Sequence, residues 1–278
     1  GDLLSWAMSR VQAGDVWLTV MGNINAIAVA ALSDAACIIL TDAAALDEEA
    51  KEKAQHALAT SETRKAAILH QAFTGQLTAH WREERGVNME SWEAVTLGNI
   101  CEINPKKINT KNFSDDLDVS FFPMASLSEQ SGEFVEFQTR PLGEVKKGFT
   151  NFQEGDVVFA KITPCMENGK SAIVGELVNG IGYGTTEFYV LRCGEKLFNR
   201  YLHHMVRSIK FRDEAKSVMS GAVGQQRVPK DFLEDYNLML PSSNEQQEIV
   251  RILDILVANE RRIQQAVETI LQQIDDTK

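Results

Sequence analysis

The N-terminal part of the chain alternates short apolar runs with segments that favour helix. Residues 15–21 and 37–41 are apolar over almost their whole length, whereas residues 25–36 are rich in alanine. Fully apolar strands that alternate with helices are typical of a parallel sheet, which is buried on both faces. The pattern therefore predicts a β-α-β start, and we interpret residues 1–46 as a small α/β segment.

A long helix is predicted next. Acidic residues follow Leu46, where the dipole of a starting helix favours negative charge. We expect this helix to run to about Phe73, because Gly75 is a natural helix stop. Residues 47–80 are assigned to this helical segment, and a charged linker follows it.

From residue 92 to residue 240 the pattern changes to short apolar strands separated by turn residues. Residues 156–162 and 187–191 are two such strands, and Asn168-Gly169 is one of the turns. A single helix is predicted at residues 199–216, with Tyr201, Met205 and Ile209 on its apolar face. These elements predict an α+β fold, with one mixed domain over residues 88–242.

The C-terminal residues 243–278 carry a heptad repeat. Its apolar positions follow steps of four and three, with one exception at Glu260; they are Ile249, Leu253, Leu256, Ile263, Val267, Ile270 and Ile274. Nearly four heptads predict a coiled-coil strand. We expect the two long helices to flank the mixed domain and to form an antiparallel coiled coil. The alternative is two ordinary amphipathic helices that pack on the core.

Charge is distributed unevenly along the 278 residues. The net charge of −11 by itself disfavours a phosphate-binding surface. Residues 1–58 hold three basic and eight acidic side chains, whereas residues 197–230 hold seven basic and two acidic ones. Because salt screens charge over about 8 Å, a local basic face can bind phosphate on an acidic molecule. The alternative is a solvated helix face without a ligand.

Cysteine spacing and hydropathy bear on the cellular compartment. The four cysteines are far apart and form no C-x-x-C pair, so we expect reduced thiols of a cytoplasmic protein and no structural zinc. No apolar run is long enough to span a membrane, and no charged segment with a cleavage site opens the chain. We therefore predict no contact with a membrane.

Motifs for catalysis are poor. Asn104-Pro105 lacks the second proline and the aromatic residue that a DNA amino-methyltransferase uses to hold an extruded base. The glycines at 180–184 precede a strand, whereas a dinucleotide-binding turn would open a helix. His203 and His204 are adjacent, so they point to different sides of a helix and cannot chelate one metal well. The sequence predicts no enzyme and no metal site.

One set of motifs resembles a known family. The set comprises residues 68–77, 121–124, 152–165, 168–170, 184–188 and 221–229, followed by Asn237 to Pro241 and the segment that begins Asn244-Glu245-Gln246-Gln247-Glu248. In this order and spacing they are similar to the specificity subunits of type I restriction–modification systems. Residues 1–46 also resemble part of a DRTGG domain, although the motif that names that domain is absent.

The resemblance implies a target recognition domain at residues 88–242 that reads DNA and performs no chemistry itself. Family members usually carry two recognition domains, so this chain looks like half of a subunit, or like a fragment whose first recognition domain has been replaced by the α/β segment. A half subunit could homodimerise to restore two half-sites. The implied partners are double-stranded DNA, adenine methyltransferase subunits that bind S-adenosylmethionine, and a restriction motor subunit. No cofactor is expected to bind this chain directly.

The residues that would contact DNA follow from their chemistry. Glutamine can bond an adenine edge and arginine a guanine edge, which makes the glycine-flanked loop with Gly221, Gln225, Gln226 and Arg227 the candidate reader. The candidate phosphate contacts are Lys106, Lys107, Lys161, Lys170, Arg207, Lys210, Arg212 and Lys216. The alternative for the loop is a plain connection between a helix and a strand.

Two other classes of function stay open at this point. One is a ligand-sensing regulatory protein that is governed by the N-terminal α/β segment. The other is an adaptor that dimerises through its coiled coil and does not bind DNA.

Overall fold

The structure is a computed structural model that describes residues 16–19, 37–40, 55, 56 and 59–276. The chain divides into two compact units, of which one comprises residues 68–253 and the other residues 1–67 together with residues 254–278. The helices predicted at residues 25–36 and at the start of the 47–80 segment lie outside the described residues. Strands β1 (Val16–Thr19) and β2 (Cys37–Leu40) pair in parallel, with Val16 opposite Cys37.

Three helices account for the described part of the two long helical segments. Helix α1 spans Ser61–Phe73, the short α2 spans Ala79–Glu84, and the C-terminal α8 spans Ser243–Asp276. Gly75, which follows α1 with φ +78°, ends the first of them as the sequence predicts.

Two four-stranded sheets form the centre of the larger unit. The first sheet has the order β6 (Gln138–Pro141), β5 (Asp118–Phe122), β10 (Gly182–Gly184), β7 (Thr150–Phe152), with β5 and β10 parallel and the other pairs antiparallel. The second sheet is antiparallel, with the order β4 (Cys101–Ile103), β11 (Phe188–Cys193), β8 (Val157–Ala160), β9 (Ser171–Ile173). This confirms a mixed α+β architecture.

A two-stranded ribbon joins the beginning and the end of the mixed region. Strand β3 (Glu93–Thr96) pairs antiparallel with β12 (Asn237–Leu240), so that Glu93 lies opposite Leu240. Pro241 directly follows β12 and cannot donate a further ladder hydrogen bond. The chain therefore leaves the ribbon at this point and enters α8.

The helix predicted at residues 199–216 is in fact two helices, α5 (Asn199–Arg207) and α6 (Ile209–Ser217). The break lies at Ser208, whose backbone is extended with φ −63° and ψ 146°. Its hydroxyl accepts a hydrogen bond from the Phe211 amide at 3.3 Å and so caps α6. Since serine is a strong N-cap, it starts a new helix here. The remaining α-helices of the described residues are the short α3 (Leu97–Ile100), α4 (Leu142–Val145) and α7 (Lys230–Glu234).

The second sheet is buried on both faces, which explains why β8 is apolar throughout. Val157 and Phe159 belong to a core that also contains α5 and α6, whereas Val158 and Ala160 belong to a core shared with Phe122 of the first sheet. Successive side chains of a strand point to opposite faces, so a strand between two cores must be apolar at every position.

A buried ion pair lies at the start of α8. The Glu245 carboxylate is fully buried and accepts hydrogen bonds from Thr78 Oγ1 at 2.7 Å, Arg82 Nη1 at 2.5 Å and Trp92 Nε1 at 2.9 Å. Arg82 Nη2 also donates to the Gly75 carbonyl at 2.5 Å. The segment of residues 75–92 is therefore held on one carboxylate of α8, more than 150 residues further along the chain.

In the smaller unit, the heptad exception Glu260 has an ionic partner. Its carboxylate is 9% exposed and accepts from Arg64 Nε and Nη2 at 2.9 Å each, and from Ser61 Oγ at 3.3 Å. Among the other heptad positions, Val267 is buried but Ile263 is 39% exposed, which the repeat does not predict. The antiparallel coiled coil as a whole stays a prediction.

We expect Arg82→Met to destabilise the larger unit by about 3–5 kcal/mol, because removing one partner leaves a buried carboxylate without its counter-charge. Urea unfolding followed by tryptophan fluorescence measures this loss. Arg85→Met is the matched control, since Arg85 lies three residues along and its ion pair with Glu84 is about half exposed on both sides. Equal unfolding midpoints for the two variants would contradict the role given to the buried pair.

A pH dependence follows from Glu260. The hydrogen bonds from Arg64 lower the pKa of the Glu260 carboxyl below its ordinary value of 4.5. A carboxyl whose pKa is lower in the folded state stabilises that state above the pKa of the unfolded chain, and this contribution is lost as the pH falls through the folded pKa. Thermal unfolding of Glu260→Gln should therefore depend less on pH between 7 and 3 than that of the wild type.

The control for this experiment is Glu268→Gln, because Glu268 is an exposed carboxylate on the same helix that accepts from Gln264 at 2.9 Å. It should follow the wild-type pH profile. The interpretation is wrong if Glu260→Gln and Glu268→Gln give the same profile.

Candidate nucleic-acid interface

The glycine-flanked loop is a narrow hairpin with an exposed tip. Ser220 and Arg227 exchange both backbone hydrogen bonds, at 3.1 and 2.8 Å, and the Gln225 amide donates to the Ala222 carbonyl at 2.9 Å. Gly221 has φ +124°, and a Cβ there would lie 2.9 Å from the Gln225 carbonyl oxygen. Glycine is therefore required at 221 for the turn to close.

The second arm of this hairpin is fixed to the segment that follows β8. The Thr163 amide donates to the Gln226 carbonyl at 3.0 Å, and the Val228 amide donates to the Lys161 carbonyl at 2.9 Å. The Gln226 amide in turn donates to Thr163 Oγ1 at 3.2 Å. Residues 226–228 of the hairpin therefore pair with residues 161–163, so the hairpin has tertiary contacts that a plain connection would not need.

Glu187 forms an ion pair with Arg227. Its carboxylate accepts from Arg227 Nε at 2.9 Å and from Arg227 Nη2 at 2.7 Å. These hydrogen bonds lower the pKa of Glu187, and burial lowers the pKa of the Lys161 amine, which lies 5.2 Å from the Tyr189 ring centre. The sequence does not indicate Glu187 as a site residue, because a carboxylate is unexpected where phosphate is to bind.

The structure therefore brings Lys161, Gly221, Gln225, Gln226 and Arg227 together. Gln225 is exposed, and Gln226 and Arg227 are half-buried. The planar amides and the guanidinium group lie on a hairpin whose backbone is fixed by hydrogen bonds. This arrangement can donate and accept hydrogen bonds at the edge of a planar base.

Arg207 and Arg212 belong to a second cluster, in which they bind the protein backbone. Arg207 donates to the carbonyls of Gly169 at 3.1 Å, Glu129 at 2.9 Å and Gln130 at 3.2 Å. Arg212 donates to the carbonyl of Glu167 at 2.6 Å. These guanidinium groups hold two loops in place, a role that the sequence did not indicate.

The lysines predicted as phosphate contacts are placed in several ways. Lys216 bonds the Glu167 carboxylate at 2.5 Å, and Lys170 donates to the Met124 carbonyl at 3.4 Å. Lys210 is 70% exposed and lies 4.0 Å from Glu214. Lys106 and Lys107 are exposed on the segment after β4, away from both clusters in sequence.

The loop at residues 163–170 connects the two clusters. Thr163 at its start bonds the hairpin at residues 220–227, whereas Glu167 and Gly169 near its end bond the cations of α5 and α6. The Gly169 amide donates to the Met166 carbonyl at 2.8 Å, which closes a turn within the loop. One short loop therefore sets the position of both clusters.

Neither a metal site nor a membrane span is found in the part of the chain that the structure describes. No three histidine, cysteine, aspartate or glutamate side chains there lie close enough together to hold a metal ion. Similarly, the described helices do not include one with the length and apolar character needed to cross a bilayer.

Comparison with known proteins identifies the family. Residues 89–269 match the family model of the type I restriction modification DNA specificity domain. The chain belongs to this specificity family. The match begins four residues before β3, so it does not bear on the N-terminal segment, whose likeness to a DRTGG domain stays a prediction.

Two curated relatives from Escherichia coli are similar to this specificity-family chain. It is 38% identical over 201 residues to the specificity subunit of the type I restriction enzyme EcoAI, and 36% identical over 201 residues to that of EcoEI. Each alignment covers 68% of this chain, but only 34% and 33% of the relatives. The chain thus spans about a third of the length of the curated relatives it matches.

Solved structures share the fold. The HsdS subunit from Thermoanaerobacter tengcongensis superposes with a TM-score of 0.53 at 19% identity, covering 82% of this chain and 52% of that one. A structure from work on complex assembly and conformational transition of the type I R-M system gives a TM-score of 0.54 at 15% identity, covering 83% and 54%. These findings do not favour the ligand-sensing or adaptor alternatives.

We expect Arg207→Ala to loosen the two loops that its guanidinium group holds. A hydrogen bond from a charged donor contributes about 1.5–3 kcal/mol, so amide hydrogen exchange at residues 129–132 and 167–170 should accelerate about tenfold or more. Mass spectrometry of the exchanged peptides measures the rates. The matched control is Arg200→Ala, because Arg200 is an exposed arginine of the same helix. Unchanged exchange in Arg207→Ala would show that these contacts do not hold the loops.

Proposed function

We propose that this chain is a sequence-specific DNA-recognition component of a type I restriction–modification system, and that residues 88–242 read one half-site. The observation that carries the proposal is the family match over residues 89–269, which includes both four-stranded sheets and the reader hairpin. The named relatives are specificity subunits of restriction enzymes. Catalysis is assigned to other subunits of the system. A fold by itself does not imply a function, so the DNA specificity is assigned to particular residues on this fold.

In this proposal the reader hairpin enters the major groove, which is wide enough for a β-ribbon. The exposed Gln225 amide would bond an adenine edge, and Arg227 would bond a guanine edge. Gln226 is half-buried, with its backbone bonded to Thr163, so it supports the shape of the hairpin as well as offering an amide. The hairpin is rigid at its base and exposed at its tip, which suits base contacts.

Phosphate contacts are assigned to six lysines, four of them exposed and two partly buried. Lys210 and Lys216 lie on α6, with 70% and 61% of their side chains exposed, and Lys106, Lys107, Lys161 and Lys170 extend the set. Arg207 and Arg212 are bonded to backbone carbonyls, so we assign them to the support of the loops, with any phosphate contact as an additional role.

The proposed partners are adenine methyltransferase subunits, which would bind S-adenosylmethionine, and a restriction motor subunit. Helices α1 and α8 are proposed to form an antiparallel coiled coil that docks them, and the Arg64–Glu260 pair supports this by bridging the two helices. Polar pairs inside a coiled coil fix its register. A second recognition domain, for example from a homodimer, would read the other half-site.

Affinity purification from the native cells tests the assembly. An adenine methyltransferase that co-purifies with the chain in a salt-resistant complex supports the proposal. Duplex DNA from a randomised library is then offered to the purified chain, and the bound fraction is sequenced. Failure to enrich any sequence, with or without the co-purified subunit, would overturn the proposed function.

Two substitutions separate base reading from phosphate binding. Arg227→Ala should weaken binding to the enriched duplex and reduce the preference over a scrambled duplex, because a base contact is lost. Lys210→Ala should weaken binding to both duplexes alike. It should also reduce the slope of log binding constant against log salt concentration by about 1. Fluorescence anisotropy over a series of salt concentrations measures both quantities. Equal effects of Arg227→Ala on the two duplexes would remove the base-reading assignment.

A further inference from the structure

The Arg227–Glu187 pair is placed where a carboxylate is costly for DNA binding. The two side chains are 43% and 24% exposed, so the pair lies at the surface of the proposed interface. A negative charge there repels phosphate, and an exposed ion pair by itself adds little to stability. A contribution to stability therefore does not explain why a carboxylate lies at this position of the proposed interface.

We propose that Glu187 is a specificity-determining positioning residue, which holds one edge of the Arg227 guanidinium group so that its remaining N–H groups face a guanine. This inference rests on the proposed function and deepens it, because it names the residue that makes Arg227 select guanine.

The donor count of Arg227 supports this role. A guanidinium group has five N–H donors. Nε and one N–H of Nη2 bind the two oxygens of Glu187, and one N–H of Nη1 binds the Gln225 carbonyl at 3.0 Å. Two N–H groups remain without a partner among the described residues, one on each terminal nitrogen. Guanine presents two acceptors, O6 and N7, on its major-groove edge.

The backbones on both sides of the pair are fixed. The Glu187 carbonyl accepts from the Lys161 amide at 2.9 Å, and β11 begins at the next residue, Phe188. Arg227 is bonded in the base of the hairpin to Ser220. A guanidinium group held at both its backbone and its side edge loses less freedom when it binds a base than one that moves freely.

The Glu187 carboxylate has a second effect because Lys161 is also nearby. The ammonium group of Lys161 lies close enough to Arg227 and Glu187 to influence both electrostatically. Glu187 offsets the repulsion between the two cations, so Arg227 is not driven away from the hairpin. An arginine without this partner would be a mobile cation, which binds phosphate without regard to sequence.

The test uses the full chain and a randomised duplex library. Glu187→Gln keeps the size of the side chain and removes its charge, and Glu187→Ala removes both acceptors. We expect the ratio of affinities for the enriched over the scrambled duplex to fall about tenfold in both variants, as for the loss of one guanine contact. The enriched motif should lose its guanine at one base-pair position, the same position that Arg227→Ala affects.

A double variant shows whether Glu187 acts through Arg227. The ratio of affinities for the enriched over the scrambled duplex should be no lower in the double variant Glu187→Gln, Arg227→Ala than in Arg227→Ala alone. This is expected if the two residues act as one unit. Glu176→Gln is the control, since Glu176 is an exposed carboxylate of the same domain and its loss changes net charge alone. Circular dichroism verifies that each variant is folded.

Three outcomes decide the matter. Losses at the same guanine position without additivity support the proposal. The proposal would be overturned if Glu187→Gln and Glu176→Gln both raised the affinity for the two duplexes equally and left the motif unchanged. Glu187 would then act only through its net charge. Additive losses at different positions would also overturn it. If the wild type enriches no motif, the proposed function fails first, which distinguishes the two failures.

Discussion

The Glu245 carboxylate anchors the larger unit at the point where α8 begins. It is fully buried and holds Thr78, Arg82 and Trp92, which come from the other end of the unit in sequence. A buried charge is tolerated only when it is paired and hydrogen-bonded, so these segments must stay together. The neighbouring Gln246 side chain bonds the main chain at Lys196, Pro241 and Phe198 and fixes the entry to α8.

The loop at residues 163–170 fixes the relative position of the two clusters of the candidate interface. It follows β8, which is buried between two cores, so its starting point cannot shift. From there it bonds the hairpin at residues 220–227 on one side and the cations of α5 and α6 on the other. The side chains proposed to read bases and those proposed to bind phosphate therefore keep a constant separation, which fixes the register of a protein on a duplex.

Surface charge in this domain is local and specific. The chain as a whole carries −11, yet the cations near the hairpin have individual partners, such as Glu187 for Arg227 and Glu167 for Lys216. Over distances beyond about 8 Å, screening reduces the effect of the remaining charge. The arrangement of each cation with its carboxylate or carbonyl thus matters more than the total charge.

Sequence alone determined the family through an ordered set of motifs. It also determined the mixed character of the domain, the strands β8, β11 and β12, and the glycine-flanked loop after Gly221, because apolar runs and turn residues act over a few positions. It did not determine the break at Ser208, the partner of Glu260, or the contacts of Arg207 with three carbonyls. Nor did it predict Glu187 beside Arg227. Each of these joins residues that are distant in sequence or depends on competing local hydrogen bonds, so only tertiary packing decides it.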